Sequence, residues 1–136
     1  MEYNIEAFKA LADRYDSITL EDLKKNDLED ITGFGHITKC TLCVSLDVEW
    51  NKDCSGCIWN WYNPVSGYKY NYIFTFNCQS KYGKQRVYKT YDDICEANYH
   101  SEYTKLLKAI KQRAKLMRKV IKLYEKSLKQ FKQHEI

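Results

Sequence analysis

The residues with the most chemistry to offer in this chain are its cysteines. Four of the six fall in two pairs, Cys40 with Cys43 and Cys54 with Cys57, inside the stretch CTLCVSLDVEWNKDCSGC. Spacing of the form C-x2-C-x10-C-x2-C lets each short turn aim two thiolates at one tetrahedral Zn²⁺, at Zn–S distances of about 2.3 Å. A site of four thiolates is closed, with no position left for water, so it holds structure and does not catalyse. The expected metal ligands are therefore Cys40, Cys43, Cys54 and Cys57. Two further residues stand as replacements for one of the four: Cys78, and His36, which precedes Cys40 by four residues. Cys95 reads as a free thiol without a role in the site. A thioredoxin-like use of CSGC would need its first cysteine at a helix N-terminus, where the thiol pKa falls. The following IWNWY reads instead as a strand, which points to metal and away from redox exchange.

A catalytic constellation is hard to assemble from the remaining residues. The ββα-metal nucleases also carry two CxxC pairs, but they need a histidine base and further metal-binding His or Asn residues. The only histidines here are His36, His100 and His134. Neither a Ser/His/Asp nor a Cys/His triad is suggested, and GxxxxGK[ST] and GxGxxG loops are absent, so nucleotide chemistry has no support. The expectation is a protein that is not an enzyme.

The elements that must position the thiols follow from periodicity. Residues 4–15 carry Ile5, Phe8, Leu11, Ala12 and Tyr15 at helical spacing. Thr19 with Asp22 resembles a capping box and opens a second helix through about Asp30, its apolar side formed by Leu20, Leu23, Leu28 and Ile31. Val44, Leu46, Val48 and Trp50 alternate with polar residues, a half-buried strand pattern. IWNWY, the turn NPVSG and YKYNYIFTFNC read as a hairpin, and RVYKTY as a third strand. YDDICEAN follows as a short helical turn. Ser101 then caps a long helix whose Tyr103, Leu107, Ile110, Ala114, Met117, Ile121, Tyr124, Leu128 and Phe131 recur at alternating steps of four and three. That helix should overhang a globule of this size, with its seam covered by the N-terminal helices or by another chain. The expected fold is α+β, one domain over residues 1–136. It comprises an acidic helical segment (1–31), a zinc-binding antiparallel β region (36–90) and a long basic helix (101–133).

Charge is distributed unevenly: residues 1–35 balance to −5, residues 36–99 to +1 and residues 100–136 to +8. The two ends can attract each other or offer different surfaces to partners. Lys105, Lys108, Lys111, Lys115, Arg118, Lys119, Lys122, Lys126 and Lys129 can neutralise phosphates, which makes nucleic acid a candidate partner. Twelve tyrosines and three tryptophans suit a surface that binds protein. No apolar run approaches the ~18 residues of a membrane span, and the N-terminus lacks the order of a signal peptide, so a cytoplasmic protein is expected.

The order KCTLC, CSGC followed by IW, the lone Cys78, KTYDDICEA and LLKAIKQRAKLMRKVI, over about residues 33–122, resembles small proteins of phages that infect Gram-positive bacteria. Some small zinc proteins from such genomes are anti-CRISPR proteins that bind the type II effector nuclease. The resemblance implies a non-enzymatic inhibitor in the host cytoplasm, a monomer or homodimer, that contacts a host defence protein directly. The residues taken alone leave open a small zinc-stabilised nucleic-acid-binding protein, or an assembly factor that uses the heptad seam.

Overall fold

A computed structural model describes residues 3–34, 40, 42, 56–64, 78 and 83–134 of the chain. These residues form six helices, labelled here in chain order: α1 (Ile5–Ser17), α2 (Leu20–Lys25), α3 (Leu28–Thr32), α4 (Ile58–Tyr62), α5 (Gln85–Tyr99) and α6 (Tyr103–His134). The described residues are 80% helical and contain no strand, which replaces the expected α+β fold with an all-α one. The proposed strand at residues 44–50 and the tyrosine-rich strand up to residue 77 lie outside the described residues.

The N-terminal segment follows its sequence signals closely. Phe8, Leu11, Ala12 and Tyr15 bury one face of α1. The capping box at α2 is complete: the Asp22 amide donates to Thr19 Oγ1 at 3.1 Å and the Thr19 amide donates to the Asp22 carboxylate at 2.9 Å. Hydrogen bonding to its carboxylate from the Thr19 amide, and then from the Thr19 side chain, holds the Asp22 carboxyl below its ordinary pKa. The expected single helix to Asp30 is broken, because Asn26 and Asp27 are extended and the Asn26 side chain donates back to the Asp22 carbonyl. α3 then ends on Gly33 at φ 72°, a left-handed position that glycine fills without a Cβ clash.

Two expected strands are helices. In α4 the buried positions are Ile58 and Trp59, with Asn63 buried one turn later. Five residues are too few for period 2 and period 3.6 to be told apart, and the aromatic content of IWNWY favoured the wrong one. RVYKTY and YDDICEAN belong to one helix, α5, whose buried residues are Val87, Thr90, Ile94 and Ala97. Steps of three, four and three show the helical period only across the boundary drawn at Thr90. The Thr90 hydroxyl is satisfied inside the helix, donating to the Arg86 carbonyl at 2.8 Å.

α6 packs chiefly against α1 and α5, and more lightly against α2. Its buried face is Leu106, Ala109, Ile110, Arg113, Ala114, Leu116, Met117, Val120, Ile121 and Tyr124. A face this wide serves two neighbours, whereas a heptad seam serves one. A straight α-helix also drifts about 20° per heptad away from a strict seven-residue repeat. The expected seam therefore begins off the core at Tyr103 (36% exposed) and joins it only from Ile110 to Tyr124. At 1.5 Å per residue α6 is about 48 Å long, against about 20 Å for α1 and about 22 Å for α5. Leu128 and Phe131 consequently stand 45% and 64% exposed on an overhanging end.

Ser101 lies in the connection between α5 and α6 at φ 54°, and so turns the chain instead of capping α6. The acidic head and basic tail meet inside the molecule. Arg118 on α6 donates to Asp13 at 2.8 Å and to Asp16 at 2.7 Å on α1, and Lys111 donates to the Asp16 carbonyl. Lys9 pairs with Glu125 at 3.4 Å.

Candidate functional site

α4 is held where α1 and α6 converge. Trp59 meets Phe8 edge to face at 5.1 Å, and Trp61 meets Tyr124 in the same manner at 5.1 Å. The residue just before α4 is Cys57, the last of the four expected ligands, and it is buried. Its carbonyl accepts from the backbone amides of Asn60 at 2.9 Å and Trp61 at 3.2 Å. Burial pushes the Cys57 thiol up to about 11. A bare thiol at this position stays protonated at neutral pH, and coordination to a cation would remove that proton.

Asn4 bonds to residues of both CxxC motifs. Its amide donates to the Gly56 carbonyl at 3.1 Å, its Oδ1 accepts from the Ile58 amide at 2.9 Å, and its Nδ2 donates to the Leu42 carbonyl at 3.3 Å. Leu42 lies within the first CxxC motif and Gly56 within the second, so the Asn4 side chain reaches the first and its backbone amide the second. Asn4 occupies the N-cap of α1, yet it makes no side-chain capping bond. The bond it gives up is worth about 1 kcal/mol.

Of the expected ligands, Cys40 is half-buried and Cys57 buried, while Cys43, Cys54 and the alternative His36 lie outside the described residues. Among the described residues no three Cys, His, Asp or Glu groups are arranged to hold a metal ion. A buried thiol at Cys57, which coordination would ionise, is compatible with the expected Zn²⁺. Cys95 sits on α5 as a half-buried free thiol, raised above its ordinary pKa by burial. The helical IWNWY removes one ground given above against redox chemistry, since CSGC does lead into a helix. The cysteine beside that helix is the second of its pair, however, and its raised pKa is the opposite of what an attacking thiol needs.

Cys78 is half-buried, and its carbonyl accepts from Arg113 Nη2 at 2.9 Å. Arg113 is only 3% exposed. Its Nη1 donates to the Val87 carbonyl at 2.7 Å and to Thr90 Oγ1 at 2.9 Å, and the guanidinium lies 4.2 Å from the centre of the Trp59 ring. Sequence reasoning overlooked both Asn4 and Arg113. Arg113 had a signal, being a cation three residues after Ile110 and four before Met117, within an apolar stripe. Asn4 had none beyond standing before a helix.

The opposite face of α6 is basic. Lys108, Lys115, Lys119, Lys122, Lys126 and Lys129 are all exposed. They share one side of the helix over about 31 Å. None has a carboxylate within ion-pair distance among the described residues, whereas Lys105 is paired with Glu102 and Arg118 with Asp13 and Asp16. Among the described residues no helix is long and apolar enough to cross a membrane. No protein-family model, curated protein or solved structure matches the chain.

Proposed function

We propose that the protein is a non-enzymatic binding protein, stabilised by one structural Zn²⁺ on Cys40, Cys43, Cys54 and Cys57, that uses α6 to engage an anionic surface. The observation that carries this reading is the stripe of six exposed lysines without acid partners among the described residues. A solvated helix face normally mixes both signs, and six like charges left side by side repel one another until something anionic covers them. Taken with the resemblance to phage proteins, the proposed partner is a host defence protein, in particular a type II CRISPR effector nuclease. The protein would act in the host cytoplasm by occluding an acidic surface beside a nucleic-acid groove. The zinc supplies rigidity, and the chain's own residues supply the contact.

The test is a titration of target-DNA cleavage by the effector nuclease. Inhibition should saturate near equal molar amounts. Reversing Lys119, Lys122 and Lys126 to Glu together should abolish it while leaving the melting temperature within a few degrees. Turnover at far lower ratios would point to an enzyme. The same stripe also favours a second reading, a zinc-stabilised nucleic-acid-binding protein, because lysines release counterions from phosphates. Tight binding of the free protein to DNA or RNA, weakening steeply with salt, would select that reading over the inhibitor.

A further inference from the structure

Apolar side chains held in water on a helix end gain free energy when something covers them, and a helix offers such anchors at steps of three or four residues. Leu128 and Phe131 make one such step on the overhanging end of α6, and both are exposed. Elsewhere on the molecule α1 and α3 enclose an open cleft of about 590 Å³. Ala10, Leu11 and Arg14 form one wall, Glu29 to Gly33 form the other, and the lining is mostly apolar. The space stays open for local reasons. Ala10 ends at a methyl group and Gly33 carries no side chain, while Arg14 Nε donates to the Ile31 carbonyl at 3.2 Å and ties the two walls together. Cavities of roughly 300–1,000 Å³ take up whole small ligands, so two apolar side chains one helical turn apart fit within this one. α6 cannot bring its own end there. It is unbroken from Tyr103 to His134, and Arg118, which pairs with Asp13 beside the cleft wall, precedes Phe131 by 13 residues, or about 20 Å.

We propose that Leu128 and Phe131 of one copy enter the α1–α3 cleft of a second copy of this chain, as a head-to-tail contact. Charge favours a second copy in that orientation. The cleft belongs to the segment of residues 1–35, which balances to −5, and the overhang to residues 100–136, which balance to +8. Opposite fields steer the overhang of one copy toward the cleft of another, whereas pairing two overhangs brings like charges together. The cleft itself repeats the sign, with the carboxylates of Glu29 and Asp30 against the single guanidinium of Arg14. Anchor and cleft are different patches, so each joined pair keeps a second anchor and a second cleft, which either close on each other or take up further copies. The inference goes beyond the binding role proposed above and rests on neither the zinc nor the lysine face, because Leu128 and Phe131 lie on the other side of α6.

The experiment is analytical ultracentrifugation of the full chain, of Phe131→Asp and of Ala10→Trp. Two anchors make a small, transient interface, so the unmodified protein should self-associate with a Kd of about 10–100 µM. Phe131→Asp removes the anchor and Ala10→Trp fills the cleft, and each should weaken self-association about tenfold or more. Both positions are exposed, so the folds should be kept. An equimolar mixture of the two variants, one with an intact cleft and the other with an intact anchor, should recover one-to-one pairs. A mixture that stays monomeric overturns the proposal. So does a loss with Phe131→Asp that Ala10→Trp does not share, since the anchor would then sit elsewhere than in the cleft. An unmodified protein that is monomeric up to about 1 mM overturns it as well, and leaves both surfaces to other partners. Should Ala10→Trp fail to fold, amide resonances of the unmodified protein decide. Dilution should move those of residues 10–14 and 29–33 together with those of residues 128–131, and movement of the last group alone overturns the contact.

Discussion

The Asn4 side chain ties Leu42, within the first CxxC motif, to Ile58, just past the second, so Asn4→Ala tests the candidate centre without touching a thiol. The substitution removes the bonds to Leu42 and Ile58 and leaves a part-buried carbonyl and amide in need of partners. At about 1 kcal/mol for each lost bond, plus the cost of stranded groups, it should destabilise the protein by about 2–3 kcal/mol and weaken zinc retention. Asn4→Asp keeps an acceptor for the Ile58 amide and should recover part of the loss. Chelator competition and thermal melts read both quantities. Cys40→Ser should release zinc, while Cys95→Ser should leave the metal in place. Metal analysis of the purified protein should return about one zinc per chain, and a value below a tenth of that with native circular dichroism would sink the four-thiolate site. Tyr15 offers a pH test. Its folded pKa lies above the ordinary 10.0 because burial disfavours the phenolate. The folded state therefore holds the proton more tightly than the unfolded state does. The stability this brings is complete below pH 10 and is lost as pH climbs toward the folded value. Tyr15→Phe should flatten the fall in denaturation midpoint above pH 10.

At the scale of elements, the long helix separates two kinds of apolar residue that look alike in sequence. Met117 is fully buried between α1 and α5, and Phe131 stands free on the overhang. Met117→Ala should cost about 2–5 kcal/mol, whereas Phe131→Ala should stay within about 0.5 kcal/mol. Since the chain itself covers the seam from Ile110 to Tyr124, Met117→Asp should lower the melting temperature without dissociating an oligomer; light scattering alongside melts would show whether it does. The helical ends of the molecule were legible beforehand because long periodic segments and a complete capping box are strong local signals, as at Phe8–Tyr15 and Thr19–Asp22. The centre was misread where local signals are short or mixed. IWNWY is stabilised as a helix by contacts of Trp59 and Trp61 with Phe8 and Tyr124, partners from 51 to 63 residues away, which no five-residue window contains. The candidate site was half legible: cysteine spacing advertised the thiols, but the roles of Asn4 and Arg113 arise only when α1, α4, α5 and α6 come together.

Considered as a whole, the molecule has its acidic and basic ends partly neutralising each other along α1 and α6, and a residual positive face directed outward. The internal pairs are solvent-exposed, so their contribution is small and sensitive to salt. Arg118→Ala should therefore lower stability by no more than about 1 kcal/mol, with the difference shrinking as ionic strength rises. The lysine face behaves differently, because it contributes nothing to folding through partners within the described chain. Its neutralisation should leave melts unchanged and alter only association, which denaturant midpoints and binding isotherms measured on the same variants can separate.

The pairing of α1 with α6 also sets a schedule for synthesis. α1 leaves the ribosome ahead of α6, and the helix that packs on its apolar face begins 86 residues after α1 ends. At roughly 5–20 residues per second that interval is on the order of ten seconds. During it the nascent chain shows an apolar helix face to its surroundings, while α5 and α6, joined through the short turn at Ser101, can pair almost as soon as both have emerged. A chaperone that recognises apolar segments has its opening at α1, and that opening narrows when α6 arrives.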